Sequence, residues 1–186
     1  MSILTIYPEN QPDHGKTFND YADIKAELAT IDVEFEHWNA HTLLPADADQ
    51  QSVLDAYQKS IDKLNLRFSF KSVDVINVTP DHPDKTVLRQ KFLAEHVHDD
   101  FEVRFFIEGK GLFYLHANNN IYAVLCEAGD LISVPNNTPH WFDMGENPHF
   151  KVIRFFTVAE GWVAEFTGSD IAKNFPTFDQ YVAEQA

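Results

Sequence analysis

The residues with the clearest chemical meaning are two histidines and a glutamate in the segment 94–102, together with a histidine from a later segment. His96 and His98 alternate in an extended stretch, so both side chains point to one face. Glu102 can return to that face after a tight turn, and His140 can reach it from a separate strand. Three imidazoles and one carboxylate suit a borderline divalent metal, and an octahedral ion bound by them keeps two positions for a chelating substrate.

The alternative interpretation is that these histidines are only hydrogen-bonded residues at the rim of a barrel. The turn residues around them favour a shared site, because Gly109 follows Glu102, and both Gly129 and Pro135 precede His140. Ligand types, strand parity and turn residues agree, and the sequence therefore predicts one metal site with these four ligands.

The same residues resemble the two motifs of the cupin superfamily, with the first motif at 96–109 and the second at 129–140. The similarity extends further, to the acireductone dioxygenase family of the methionine salvage pathway. The segments that carry this closer resemblance are 102–106, 109–113, 122–126, 130–135 and 138–145. The resemblance covers at least residues 70–165.

Three positions depart from the family pattern. Gln90 and Asn137 stand where the two cupin motifs usually have glycine, and Phe101 stands where an acidic residue often precedes the ligand glutamate. Asn tolerates a positive φ better than other residues with a side chain, so the turn at Asn137 can still form. Parity points Phe101 away from the metal, so its substitution affects local charge more than the ligands.

The resemblance implies a mainly β fold with peripheral helices, a cupin-type double-stranded β-helix (jelly-roll) barrel with an N-terminal helical layer. It implies a single cupin domain over residues 1–186, with the metal-binding barrel core at about 70–165. The chain after Lys71 agrees, since its short apolar runs are broken by Gly and Asn residues, as in sandwiches and barrels.

The family's activity is metal-dependent cleavage of acireductone, 1,2-dihydroxy-3-keto-5-methylthiopentene, by dioxygen to formate and 4-methylthio-2-oxobutanoate. The resemblance implies one Fe²⁺ per chain, with Ni²⁺ as an alternative that gives carbon monoxide, formate and 3-methylthiopropanoate. Two other functions stay open. One is a different cupin metalloenzyme, either another dioxygenase or an isomerase, and the other is a cupin that binds a ligand without turnover.

Two arginines and one glutamate are the other candidate catalytic residues. Arg104 lies two residues beyond Glu102 on the same strand face, and Arg154 alternates with apolar residues on another strand. A buried arginine needs an anion, which would be either an anionic substrate or a carboxylate such as Glu95, Asp143 or Glu108. Glu95 is adjacent to the first ligand and could relay a proton, although parity points it away from the metal.

Five aromatic residues are candidates for an apolar pocket that holds the tail of the substrate: Phe92, Phe106, Phe142, Phe156 and Trp162. Plain core packing is the alternative for each of them. Phe142 is the strongest candidate, because it follows the ligand His140 at the position that shares its face.

The amino-acid composition limits which binding partners the protein is expected to have. The formal net charge of −15 disfavours nucleic acid and anionic membranes as partners. A single cysteine, Cys126, fits a reducing compartment, and neither a signal sequence nor a long apolar run is present. We expect a cytoplasmic monomer whose partners are the small molecules acireductone and dioxygen.

Local patterns predict the elements that must surround the barrel. Expected strands are Ile3–Tyr7, Glu34–Trp38 and Asp74–Val78, and Asn118–Asn120 should form a hairpin turn. Expected helices start at Thr17 and at Asp47 or Asp49, span Pro83–Phe92, and return near Ser169–Asn174.

Overall fold

The computed structural model describes residues 1–40, 42, 44–45, 47–158 and 163–185. Its strands are β1 Ile3–Pro8, β2 Lys16–Phe18, β3 Glu34–His37, β4 Ser72–Val78, β5 His96–Val97, β6 Glu102–Ala117, β7 Asn120–Glu127, β8 Asp130–Val134, β9 His140–Asp143, β10 Phe150–Phe156 and β11 Glu165–Phe166. Its helices are α1 Tyr21–Ala29, α2 Gln50–Ala56, α3 Gln58–Phe68, α4 Lys85–Leu93 and α5 Phe178–Glu184, with a 3₁₀ helix at Ile171–Asn174. The expected mainly β fold with peripheral helices is confirmed.

The long strand β6 belongs to two antiparallel sheets. Its first half pairs with β8 and β10, in a sheet of order β3-β8-β6-β10-β4. Its second half pairs with β9 and β7, in a sheet of order β11-β5-β9-β6-β7-β1-β2. Because one strand crosses from the first sheet to the second, the two sheets close around a common interior.

A bulge in β6 reverses which of its side chains face that interior. Lys151 of β10 pairs with Glu108, but the next residue, Val152, pairs with Phe106, so Ile107 is an extra residue. Both Phe106 and Phe113 lie in the central core although one number is even and the other odd. Parity therefore holds along each half of β6 but not along the whole strand.

Three apolar clusters hold the fold together. The cluster between the sheets includes Leu4, Phe106, Phe113, Ile132 and Phe150, with Ile24 and Leu28 of α1 packed into it. The second covers the outer face of the first sheet and contains Val53 of α2, Ile61 and Leu64 of α3, and Tyr57 between the two helices. The third joins the outer face of the second sheet to α5 through Tyr114, Trp141, Phe175 and Tyr181. The predicted N-terminal helical layer is thus present.

The N-terminal third contributes strands as well as helices. β1 pairs with β7 along its length, and β3 pairs with β8. The sheets therefore extend beyond the predicted barrel core of about 70–165, because the edge strands of a barrel can come from distant parts of a chain.

Helix starts were predicted with mixed success. Thr17 lies in β2, and α1 begins later, where the side chain of Asp20 accepts hydrogen bonds from the backbone of its first turn. Asp49 caps α2 as expected, although the expected single helix is divided at Tyr57. The helix predicted near Ser169–Asn174 is a single 3₁₀ turn. Helix α5 was not predicted from the sequence, although it begins with a capping box formed by Thr177 and Gln180.

The predicted turns are confirmed by their backbone angles. Asn118 and Asn119 have φ of 52° and 58° in the β6–β7 hairpin, and Asn137 has φ of 57° where the cupin motif usually has glycine. Within the part of the chain that the structure describes, no helix is long and apolar enough to cross a membrane.

Candidate metal centre

The four predicted metal ligands come together at one end of the interior. His96 of β5 lies directly opposite His140 of β9, Glu102 opens β6, and His98 follows β5. All four are at most 5% exposed. The short pairing of β5 with β9 therefore brings together two motifs that are far apart in the sequence.

The ligand atoms converge on Glu102. Three ligand atoms, one each from His96, Glu102 and His140, lie within 4.8 Å of one another. The Nε2 atoms of His98 and His140 lie 2.8 Å and 3.2 Å from the same Glu102 oxygen, Oε2. The structure thus collects the four side chains that the spacing predicted.

Each of the three imidazoles is oriented by a backbone carbonyl two residues away. The Nδ1 atoms of His96, His98 and His140 lie 2.8, 2.6 and 2.7 Å from the carbonyl oxygens of Ala94, Asp100 and Thr138. A carbonyl only accepts, so Nδ1 carries the proton and Nε2 presents its lone pair to the centre. This arrangement, typical of metal-binding histidines, fits a divalent first-row ion held by three nitrogens and one carboxylate.

Electrostatics keep the carboxylate ionised and favour a neutral imidazole. Burial raises the pKa of Glu102, but the charge of Arg104 and the adjoining side chains of His140 and His98 hold that pKa well below its usual range. Burial and the neighbouring His140 lower the pKa of His96. An anionic carboxylate and a neutral imidazole are the forms that bind a metal.

Arg104 lies beside the ligands, as predicted. Its Nη2 is 3.1 Å from Glu102 Oε1, and its Nη1 donates to the carbonyl of Val103 at 3.1 Å. Burial lowers its pKa to about 10, against the opposing effect of Glu102, so the guanidinium stays charged at neutral pH. Its carboxylate partner is Glu102, and not one of the three carboxylates proposed from the sequence.

Arg154 faces Arg104 across β6 and β10. Its Nε and Nη2 donate to Asp74 at 2.7 Å and 2.6 Å, a forked pair between adjacent strands. The ring of Phe156 lies 5.7 Å from the Arg104 guanidinium carbon and 5.4 Å from that of Arg154. The sequence did not indicate Asp74 as a partner, because the β4–β10 register that places it opposite Arg154 is not visible in the sequence.

Glu95 is buried just before β5. It accepts a hydrogen bond from Thr167 Oγ1 at 2.7 Å and lies 2.9 Å from His116 Nδ1. It does not line the cavity beside the ligands. Glu95 thus contacts Thr167 and His116 on the side away from the ligand side chains, and its role as a proton relay stays a prediction.

A cavity that is partly open to solvent adjoins the ligands. Its lining is His96, Glu102, Arg104, His140 and Arg154 at the charged end, and Ile76, Phe92, Phe106, Phe113, Phe142, Phe150 and Val152 elsewhere. Three of the five predicted pocket aromatics, Phe92, Phe106 and Phe142, line it. Phe156 contacts the two arginines instead, and Trp162 lies outside the described residues.

Two local features of β6 shape the aromatic wall of this cavity, and the first explains why Phe113 was missed from the sequence. The bulge at Ile107 turns Phe113 inward, against the parity of Phe106. At Gly111, a Cβ would lie 2.3 Å from the Phe142 ring, so only glycine lets that ring lie where it does. A glycine two residues before an aromatic was the one signal in the sequence for close packing here.

Comparisons with known proteins agree with this geometry. A family model described as "ARD/ARD' family" matches residues 4–164. An acireductone dioxygenase of Methylococcus capsulatus is 54% identical over 186 residues, covering 100% of both chains. One of Aquifex aeolicus is 54% identical over 182 residues, 98% of this chain and 99% of the relative.

A solved structure extends the similarity to the fold. Acireductone dioxygenase from Bacillus anthracis, with a cadmium ion in its active centre, superposes with a TM-score of 0.80 at 29% identity. The match covers 89% of this chain and 98% of that one. The predicted cupin-type fold is thereby confirmed.

Proposed function

This chain belongs to the acireductone dioxygenase family, and on that premise we propose that it cleaves 1,2-dihydroxy-3-keto-5-methylthiopentene with dioxygen. The products are formate and 4-methylthio-2-oxobutanoate. The observation that carries the proposal is the cavity itself, which has three of the four ligand side chains and two arginines at one end and aromatic rings at the other. Such a cavity fits a substrate that is rich in oxygen at one end and apolar at the other.

We propose one Fe²⁺ per chain as the cofactor, held by His96, His98, Glu102 and His140, with Ni²⁺ as the alternative. When bound, such an ion would supply a Lewis acid that favours the ionised enediol of the substrate. The three Nε2 lone pairs and the ionised Glu102 support this assignment. The cadmium ion of the Bacillus anthracis relative supports a divalent ion.

Arg104 binds and orients the anionic end of the substrate in this proposal. Its guanidinium is buried and charged, and it lies within 3.1 Å of the ligand Glu102. Positive charge fixed at this point stabilises the enediolate as it develops. Arg154 adds a second cation at the same end, where it is already paired with Asp74. We assign no step to Glu95.

The apolar end excludes water and holds the methylthio tail. Phe92 and Phe142 meet edge to face with ring centroids 6.2 Å apart, and Phe113 lies 4.8 Å from Phe142. Aromatic walls of this kind bind an apolar chain without specifying its polar groups. A role for Trp162 in the same pocket stays a prediction.

The other two candidate functions make different predictions for the same protein. A different cupin metalloenzyme would bind metal but leave acireductone and dioxygen unconsumed, and a ligand-binding cupin would bind without turnover. The 54% identity to a named acireductone dioxygenase over the full chain favours the first proposal.

The deciding experiment measures oxygen uptake with synthetic acireductone after the metal has been removed and either Fe²⁺ or Ni²⁺ restored. We expect formate and the keto acid from the Fe²⁺ form, and carbon monoxide, formate and 3-methylthiopropanoate from the Ni²⁺ form. Identical products from both loaded forms would contradict the metal-dependent outcome only. Absence of oxygen uptake from both would contradict the proposed activity.

Compartment, assembly and domain organisation are also proposals. The chain has a single cysteine, Cys126, which is buried, and the lack of a second cysteine for an internal disulfide supports a reducing compartment such as the cytoplasm. We propose a monomer, which light scattering on the purified protein measures directly. Pairing of β1 with β7 supports one domain over residues 1–186, and a single unfolding transition is expected.

A further inference from the structure

Helix α4 forms one wall of the cavity with little burial of its own. None of its residues is fully buried, and its apolar contacts with the central core come from Leu88 and Phe92. Arg89 lies between them in sequence and three residues before Phe92, so Arg89 and Phe92 project from neighbouring positions of the helix surface. The wall therefore depends on a few apolar contacts and on the ion pairs of Arg89 with Glu146, Asp179 and, at the shortest distance, Asp143.

The ion pair with Asp143 joins α4 to the end of β9. Arg89 Nε donates to Asp143 Oδ1 at 2.7 Å, and Arg89 Nη2 donates to Asp143 Oδ2 at 3.0 Å. The Asp143 side chain is 1% exposed and the Arg89 side chain 16%. Two parallel hydrogen bonds from a guanidinium to a carboxylate fix distance and angle together, which a single contact does not.

Asp143 also anchors α5. Its oxygens accept from the backbone N–H of Gly145 at 2.9 Å and of Phe178 at 2.8 Å. Arg89 Nη2 lies 3.4 Å from Asp179 of the same helix. One buried carboxylate thus connects α4, α5 and β9, the strand that carries the ligand His140 and the pocket residue Phe142.

We propose that Arg89 is a positioning residue, which latches α4 to Asp143 and thereby holds the Phe92 ring at the cavity wall. Phe92 and Phe142 meet edge to face, so the position of α4 sets the width of the apolar end. The effect on the substrate rests on the proposed function, whereas the latch rests on contacts within the protein alone.

Hydrogen exchange tests the latch without any turnover. In Arg89→Met, we expect the amides of α4 to exchange roughly tenfold faster, with α1 unchanged, because local opening of α4 becomes easier. Arg67→Met is the matched control, since Arg67 pairs with Glu34 and Glu36 on a surface away from the cavity. Unchanged exchange of α4 in folded Arg89→Met overturns the proposal.

Removing Arg89 leaves the Asp143 carboxylate buried without its counter-charge, which can unfold the protein. The double variant Arg89→Met/Asp143→Asn removes both charges, and it should show the same faster exchange of α4. Arg89→Lys keeps the charge but not the fork, so its α4 exchange should fall between those of wild type and Arg89→Met.

Steady-state kinetics test whether the latch acts through Phe92. In metal-loaded Arg89→Met we expect KM for acireductone to rise roughly fivefold to twentyfold, with kcat within about twofold. In a Phe92→Ala background the same change should have no further effect on KM, because the ring that it positions is absent. An equal rise in both backgrounds overturns the role through Phe92. Wild-type protein without oxygen uptake contradicts the proposed function, and with it the substrate role, while the exchange comparison still decides the latch.

Discussion

The two faces of the first half of β6 differ in the kinds of side chain that they accommodate. The inner face presents Glu102, Arg104 and Phe106 to the cavity, and the outer face presents Val103, Phe105 and Ile107 to the helical layer. The two sets alternate along one strand, so they share its backbone, its register and its position in the chain. Their side chains nevertheless face entirely different surroundings.

On the inner face, charged groups are buried because each has a partner. Arg104 meets Glu102, and Glu102 meets two histidines. On the outer face, the Phe105 ring packs edge to face with the Tyr57 ring, with centroids 5.4 Å apart, and its centroid lies 5.3 Å from that of the Trp38 ring. The difference teaches that function and stability are divided between alternate residues of the same strand, so substitutions on the two faces should fail in different ways.

Loss of a ligand should have the largest effect on the inner face. We expect His140→Ala to lose most bound metal and all detectable turnover while it stays folded, and the same for His96→Ala, His98→Ala and Glu102→Ala. Each change removes one of the four proposed donors, of which His96, Glu102 and His140 lie within 4.8 Å of one another and His98 lies 2.8 Å from Glu102. Elemental analysis of metal per chain measures this.

His149→Ala is the matched control for the ligand variants. His149 is an exposed histidine that pairs with Glu108 on the surface, so its loss should leave metal content unchanged. Metal per chain equal to wild type in His140→Ala or His96→Ala would refute the four-ligand assignment.

The outer face should show the opposite pattern. We expect Phe105→Ala to lower the free energy of unfolding by about 3–5 kcal/mol, the usual cost of truncating a fully buried phenylalanine. Metal content per folded chain should stay the same, because Phe105 points away from the ligands. Urea denaturation followed by circular dichroism measures the first quantity, and elemental analysis the second.

Phe101→Ala is the control for the outer face, since Phe101 is partly exposed and its truncation should cost much less. If folded Phe105→Ala loses its metal, then the two faces are coupled and their separation along β6 is wrong.

How far the sequence predicted this site depended on strand parity. The residue types and the alternation of side chains along extended segments were enough to predict the four ligands, since no bulge interrupts the short segments that carry them. The bulge at Ile107 then reversed parity, which is why Phe113 was not recognised as a pocket residue. A bulge has no reliable signature in a single sequence, because it depends on the partner strand.

Pairing between distant strands was the second limit. Asp74 and Asp143 each form a forked ion pair with an arginine, Arg154 and Arg89, and neither pair was predicted. Strand and helix positions were approximately right in both cases, but register and helix docking decide which charges meet. Local signals predicted the fold class and the turns, whereas ion pairs require the tertiary structure.

A smaller effect on the inner face is expected from Arg104. We expect Arg104→Ala to keep its metal but lose about 2–4 kcal/mol of transition-state stabilisation, the typical effect of removing one donor aimed at developing charge. Arg104→Lys should recover only part of it, because an ammonium does not reproduce the guanidinium fork. Values of kcat/KM on fully metal-loaded protein measure the loss.

Arg154→Ala is the comparison for that experiment, and it should cost less than Arg104→Ala because Arg154 is already paired with Asp74 in the resting protein. Turnover of Arg104→Ala at the wild-type rate would make Arg104 a structural partner of Glu102 and contradict its role toward the substrate.

The smallest effect concerns His116, in the second half of β6, where the bulge has turned even-numbered residues outward. Burial lowers the pKa of His116, but hydrogen bonds with Glu9 and Glu95 outweigh burial and raise that pKa above the usual value of 6.5. A raised folded-state pKa means that the charged histidine stabilises the fold below the unfolded-state pKa, and that this contribution is lost as the pH rises through the folded-state value. We therefore expect the stability difference between wild type and His116→Gln to be largest near pH 6 and to shrink towards about pH 9, staying below about 1 kcal/mol because the pair is partly exposed.

Urea denaturation of wild type and His116→Gln at the two pH values measures this stability difference, and titration of the metal ligands cancels in the difference because both proteins contain them. A difference that grows with pH would mean that His116 stabilises the outer face as a neutral side chain, and that its contacts with Glu9 and Glu95 are not ion pairs.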